Sequence, residues 1–282
     1  GWQLGALPLT RDSIEEAIRL NKVSVEMNLA AFAWGRVAAV DPQAVERLAR
    51  SRPEALAHRR LSETLDEMVA RRVAFLTEYQ DADYAKRYAQ HVAALRQRAA
   101  GLGDKGEEIV RTAARELFRL MAIKDEYEVA RLFTSGAFAD QLAETFESHE
   151  RLEFPLAPPM LSRTDPRTGR PAKRRFGPWV LPVFRMLARL KGLRGGALDV
   201  FGRTAERRME RRLRDDYVAV VEEVAGTLSQ ANADQALALL AYPEGIKGFG
   251  PVRETSAKRA EAKVPDLLAA YRNPEAAKLA AE

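Results

Sequence analysis

Residues Leu61–Leu95 read LSETLDEMVARRVAFLTEYQDADYAKRYAQHVAAL. Leu61, Leu65, Met68, Val69, Val73 and Leu76 recur at steps of three and four, and Tyr84, Tyr88, Val92 and Leu95 resume the spacing after Asp81. Such steps place side chains on one face of a 3.6-residue helix, whereas a strand alternates faces at every residue. The stretch therefore predicts two amphipathic helices broken at Asp81.

The same period extends outward in both directions. Val110, Ala114, Leu117 and Met121 make a third stripe, and Phe138, Leu142 and Phe146 a fourth. Met209, Leu213, Tyr217, Val220, Val221, Val224 and Leu228 line one side of a long helix, after a pause at Gly195-Gly196. NADQALALLAY and SAKRAEAKVPDLLAAY read as shorter helices. Upstream, Thr10 is an N-cap for RDSIEEAIRLN, and Asp41-Pro42 is a cap-plus-first-turn signal for a short helix through Ala49. The pattern breaks between Leu152 and Pro182, where five prolines and the turn cluster DPRTGRP fall from Pro155 to Pro171. The expected fold is mostly α: a multi-helix domain with an irregular Pro/Gly-rich crossing at about 152–182 and at most a short strand, as in RLEFPLAPP. The helical domain then has a first part over 37–151 and a second part over 183–272, with a frayed tail at 273–282.

The chain has 282 residues, 46% hydrophobic, and no cysteine. Disulfides, thiolate-held iron–sulfur clusters and thiol nucleophiles are excluded within it, and the composition fits a reducing cytoplasm. No run of eighteen apolar residues is present, so no membrane span is expected. The opening GWQLGALPLT has no Met and enters mid-pattern, which suggests a piece of a longer polypeptide. Net charge is +5. It is unevenly placed: residues 163–214 hold 16 Lys/Arg and 4 Asp/Glu, a balance of +12, and the other 230 residues carry −7. A local positive field of that size attracts nucleic acid, a phosphorylated ligand, an acidic protein or the chain's own acidic half.

Motifs that could carry chemistry are few. GLGDKG, Gly101–Gly106, matches the G-x-G-x-x-G spacing, but a helix, AALRQRAA, precedes it where a phosphate-binding loop needs a strand. It reads as a loop between helices. His58, His91 and His149 stand apart, without a second histidine at metal-binding spacing. KDEYEVARL, Lys124–Leu132, alternates charge, and Glu128 can pair with Arg131, which favours a salt-bridge face over a catalytic carboxylate pair. In TAERRMERRLRDD, Arg207, Arg211 and Arg214 share one side of a helix with Arg208 and Arg212 beside them, and Glu206 and Glu210 offset part of that charge. The aromatic residues Phe176, Trp179 and Phe184 cluster between basic ends instead of interleaving with them, as a single-strand nucleic-acid binder would require. PVFRMLARLKGL is short for a membrane-surface helix and begins with proline.

Several longer segments carry a family resemblance: RRVAFLTEYQDADYAKRY, LMAIKDEYEVARL, LAPPMLSRTDPRTGRPAKRRFGPW, FRMLARLKGLRG, FGRTAERRMER and YPEGIKGFG. From about Gly1 to about Glu254 the chain resembles the C-terminal region of the long, fused indolepyruvate ferredoxin oxidoreductases, which are 2-oxoacid:ferredoxin oxidoreductases. Residues 1–36 resemble the closing helices of that family's γ domain, followed by a helical appendage. Where the family's pattern often has His, this chain has Pro155 and Pro251. The resemblance implies a parent enzyme that decarboxylates an aryl 2-oxoacid on thiamine diphosphate with Mg, passes electrons through iron–sulfur clusters to ferredoxin, and delivers the acyl group to coenzyme A. It transfers no catalytic residue here and implies no cofactor held by this segment.

Three roles follow for the segment. In the first it packs on the catalytic domains or across a homo-oligomer interface, with Phe176, Trp179 and Phe184 as anchors. In the second, Arg207, Arg208, Arg211 and Arg212 steer acidic ferredoxin. In the third, Lys173, Arg174 and Arg175 hold the phosphates of coenzyme A.

Overall fold

The computed structural model describes residues 2–45, 64–145, 152–156 and 174–279. It is mostly α-helical with one two-stranded antiparallel sheet, as the periodicity requires. The chain divides into two units, Gly1–Leu61 and Ser62–Glu282.

In the first unit, Thr10 caps α1 (Arg11–Leu20) by accepting from the Ser13 amide at 3.2 Å. Helix α2 spans Val25–Val40, and Asp41 accepts from the Ala44 amide at 3.0 Å to open the next helical turn. Trp2 packs against Phe32 with ring centroids 5.6 Å apart, and the Arg36 guanidinium lies over the Trp2 ring. Neither helix buries a single residue. Leu4, Leu7, Leu9, Leu20, Val23, Met27, Trp34, Val37 and Val40 are all exposed.

The second unit holds the core. Thr64 and Glu67 form a reciprocal capping box at the start of α3 (Leu65–Tyr79). Asp81 accepts from the Tyr84 amide at 2.7 Å and starts α4 (Ala82–Ala99), the break expected at that residue. Helix α5 (Gly103–Met121) follows a short 3₁₀ turn, Ala100–Leu102. Helix α4 packs on α3, α5 and the long α9 (Ala205–Thr227), and α5 also meets α10 (Ala233–Leu240). The helices α11 (Pro251–Glu261) and α12 (Val264–Arg272) close the bundle, and Pro274–Leu279 adds α13 within the stretch expected to fray. Leu76, Leu95, Ile109, Leu117, Leu213 and Leu239 meet in the interior with Tyr88 and Tyr217. All but Ile109 and Leu239 come from the stripes read in the sequence.

A smaller apolar cluster is built on Ala130, Phe154, Val180 and Phe184. Helix α6 (Glu126–Thr134) packs on α8 (Val180–Arg189), and α7 spans Gly136–Thr145. Strands β1 (Phe154–Leu156) and β2 (Arg174–Phe176) pair antiparallel, Phe154 opposite Phe176 and Leu156 opposite Arg174. Phe133, Phe154 and Phe184 meet with centroids 5.1–5.8 Å apart. Residues 157–173 of the crossing, with Lys173, lie outside the described residues, as do His58, Phe146 and His149. No helix among the described residues is long and apolar enough to cross a membrane.

Burial has one global consequence. All seven tyrosines of the chain are held above their ordinary pKa of 10.0, in each case chiefly by desolvation: Tyr79, Tyr84, Tyr88, Tyr127, Tyr217, Tyr242 and Tyr271. Buried hydroxyls donate to carbonyls, Tyr84 to Met121 at 2.9 Å, Tyr88 to Ala114 at 3.1 Å and Tyr217 to Leu240 at 2.8 Å, so ionisation would also break these bonds. A phenol whose folded pKa is raised contributes stability that is fully present below the unfolded value and is lost as pH rises through the folded one. Stability is therefore expected to fall steeply above about pH 10. Tyrosinate absorbance should rise with the loss of helical circular dichroism in one step. A gradual titration of several phenols in the still-folded chain would contradict the burial.

Candidate functional site: a buried ion-pair seam beside the bundle

Four buried acidic residues, Asp125, Glu128, Asp199 and Glu210, lie where the start of α6, the Arg194–Thr204 connection and the first turns of α9 converge. Asp125 is the N-cap of α6 and accepts from the Glu128 amide at 2.8 Å. The same carboxylate receives both arms of Arg194, Nε to Oδ2 at 2.5 Å and Nη2 to Oδ1 at 2.9 Å. The third arm, Nη1, donates to the Tyr79 carbonyl at 2.6 Å, and the guanidinium lies 3.7 Å from the centre of the Tyr79 ring. One side chain thus ties the end of α3, the start of α6 and the turn after α8. The two charges are nearly enclosed, with 11% of the Arg194 and 6% of the Asp125 side chain exposed. A buried pair of this kind holds only if every donor and acceptor is matched.

Asp199 does similar work in the loop. It accepts from the Gly195 amide at 2.7 Å, from the Gly202 amide at 2.9 Å, and from the Tyr127 hydroxyl at 3.2 Å. A Cβ at Gly202 would stand 2.2 Å from Asp199 Oδ2, so glycine is required for the backbone to come this close. Burial first, and then the Asp199 carboxylate, push the Tyr127 phenol up to about 12. It stays protonated and works as a donor at neutral pH.

Arg207 extends the seam into α9. It reaches Glu210 at 2.6 Å, the Lys124 carbonyl at 3.2 Å and Glu126 at 3.5 Å. Burial raises the Glu210 carboxyl, although Arg207 and Arg253 (3.2 Å) act against that shift. Arg211 donates to the Gly202 carbonyl at 2.6 Å. Glu128 takes both arms of Arg131 at 2.8 Å, and Arg131 goes on to Glu78 at 2.8 Å. The salt-bridge reading of KDEYEVARL agrees with this geometry. Elsewhere in the bundle, Arg115 and Arg119 both pair with the buried Glu116, and they also reach Glu244 and the Pro243 carbonyl of the YPEG turn.

The space left inside the seam, between Tyr127, Asp199, Phe201 and Arg207, is about 20 Å³. That holds roughly one water and no organic substrate. Among the described residues no three His, Cys, Asp or Glu side chains are grouped to hold a metal ion. With no cysteine in the chain, a thiolate-ligated cluster does not fit these residues. His91 faces Glu222 at 3.6 Å. The arrangement is a fastening between elements.

The basic residues singled out in the sequence fall into different surroundings. Arg207 and Arg211 point into the seam. Arg208 and Arg212 are exposed beside an open cleft of about 550 Å³ with Glu206, Glu254 and Lys258; Arg208 donates to the Arg203 carbonyl at 2.6 Å and Arg212 pairs with Glu261 at 2.8 Å. Arg174 and Arg175 are exposed on β2, and Arg175 lies 3.4 Å from Glu153. Phe184 is buried, Phe176 is half-buried, and Trp179 is 65% exposed with its ring 5.9 Å from Phe176. Arg194 and Asp199, the centres of the seam, carry no periodic signal in the sequence. The available clue is a lone acid among glycines in LRGGALDVFG.

GLGDKG turns out to join α4 and α5. Gly103 has φ +57°, and a Cβ at Gly106 would meet the Ala99 carbonyl oxygen at 2.3 Å. These glycines allow a tight crossing of two helices, and no strand precedes them.

Fold and seam together define a mostly helical region in which the buried Asp125, Glu128 and Glu210 each face an arginine. The chain belongs to a family of unknown function, DUF6537, whose sequence profile matches residues 65–265. No curated protein and no solved structure matches it.

Proposed function

We propose that the chain is a non-catalytic helical region of a long, fused indolepyruvate ferredoxin oxidoreductase, working in the cytoplasm by packing on the other domains of that polypeptide or across its dimer interface. Thiamine diphosphate, Mg, iron–sulfur clusters and coenzyme A are then the business of those other domains. The resemblance of the six quoted segments supports the parent enzyme. The observation that carries the packing role is the first unit: its helices bury nothing, while Met27, Trp34, Val37 and Val40 of α2 all face outward. Side chains of this size are worth roughly 1.5–3 kcal/mol each when taken out of water. A helix that is apolar on all sides needs cover.

Two measurements test the reading. Amides of α2 are expected to exchange at least about tenfold more slowly in the full polypeptide than in residues 1–282 alone, since packing adds its free energy to each opening step. Equal rates would remove the packing role. The full polypeptide should reduce ferredoxin with indolepyruvate and coenzyme A, and failure to do so would remove the parent assignment while leaving the exchange result to stand.

A further inference from the structure

Helix α8 has two apolar faces, and only one is used. Val180 and Phe184 turn inward to Phe133 and Phe154. On the other side Trp179, Val183, Met186 and Leu190 are 65%, 40%, 56% and 38% exposed. At about 100° per residue these four fall within a wedge of roughly 60°, and their separations of four, three and four residues are those of a coiled-coil seam. The row is about 16 Å long. Trp179 is braced by Phe176 and by close approach to Gly177, so the row starts from a positioned ring.

The sequence that carries this row has charge of one sign. Residues 174–198 contain six Arg or Lys and no Asp or Glu. Three of the six are engaged elsewhere, Arg194 with Asp125, Arg175 with Glu153 and Lys191 with the Thr77 and Glu78 carbonyls. Arg185 and Arg189, one turn apart along one edge of the row, are exposed and have no ion pair among the described residues. Arg174, also exposed and without an ion pair among the described residues, stands on β2 next to the Phe176 that supports Trp179.

We infer that this face of α8 is a docking site for an amphipathic helix of a protein partner, with apolar side chains at heptad spacing and acidic side chains along its flank. An apolar row one side chain wide, at helix–helix spacing, receives a helix; a bilayer surface calls for a broader apolar face. The cationic edge selects the sign of the partner and speeds its approach, while the apolar row supplies the hold. The site does not depend on the oxidoreductase assignment.

Trp179 can report on its own surface once Trp2 and Trp34 are replaced by Phe. The probe is a helical peptide with leucine at heptad positions a and d and glutamate at e and g. Its addition should shift Trp179 emission to the blue and saturate. Arg185→Glu with Arg189→Glu should weaken binding by about tenfold, and added salt should weaken binding to the parent chain in the same direction. Met186→Asp should abolish the shift, and Met186→Gln should weaken it if the aspartate variant does not fold by circular dichroism. The proposal is overturned by any of four results: no shift at millimolar peptide, equal binding of a peptide with lysine in place of glutamate, a shift produced only by phosphatidylserine-containing vesicles, or sedimentation as a dimer with Trp179 already blue-shifted.

Discussion

Arg194→Ala is expected to lower unfolding stability by about 3–5 kcal/mol, the usual cost of leaving one member of a buried pair uncompensated. Three losses coincide at that position. Asp125 loses the cation that faces it, the Tyr79 carbonyl loses its donor, and the Tyr79 ring loses the cation stacked on it. Arg194→Lys should recover part of the loss, because an ammonium can reach one oxygen but cannot span Asp125 and the Tyr79 carbonyl as the planar fork does. Urea midpoints at unchanged slope are the measurement. An alanine variant within about 0.5 kcal/mol of the parent, the range of an ordinary surface change, would mean that the seam is wet and contributes little.

The second large effect is expected at Gly106. Alanine is preferred over glycine inside a helix by up to about 1 kcal/mol, so propensity alone predicts stabilisation. The contact predicts the reverse, for the new methyl would press on the Ala99 carbonyl at 2.3 Å, and a backbone oxygen in a helix cannot step aside. Overpacking of this kind costs about 1–3 kcal/mol and should win. Gly101→Ala is the control. It has nothing within 4 Å of the new methyl and no positive φ, so it should be neutral or slightly stabilising. A phosphate cradle would distinguish the glycines differently, by loss of ligand with little change in the melting point. The thermal shift of the two variants therefore separates the helix-crossing role of GLGDKG from a nucleotide role.

These two sites also mark where the sequence could be read and where it could not. The stripes of α3, α4, α5 and α9 were visible because helix burial repeats every three or four residues. Tyr84, Tyr88 and Val92 declare their face without reference to anything distant. The cap at Thr10 and the break at Asp81 were visible for the same local reason. Arg194 was not, because its partners, Asp125 and Tyr79, lie 69 and 115 residues away, and no short-range pattern links them. Glu128 and Arg131, three residues apart, could be paired from the sequence; Tyr127 and Asp199, 72 apart, could not. The aromatic group Phe176, Trp179 and Phe184 shows an intermediate case. Its chemistry was legible, but a five-residue step on a helix turns a side chain by about 140°, so Phe184 enters the core while Trp179 remains outside. Val183, Met186 and Leu190 could have been joined to Trp179 by that angle alone.

The long reach of the ties has a consequence for how the molecule comes into being. Arg98 donates to the Leu228 carbonyl across 130 residues, and Arg115 meets Glu244 across 129. A ribosome adding about 5–20 residues per second makes Tyr79 roughly 6–23 s before it makes Arg194. Throughout that interval α3, α4 and α5 have each other but not the helix that seals them. The nascent half-bundle must therefore wait with its apolar side uncovered, which makes it a natural client for chaperones that shield growing chains.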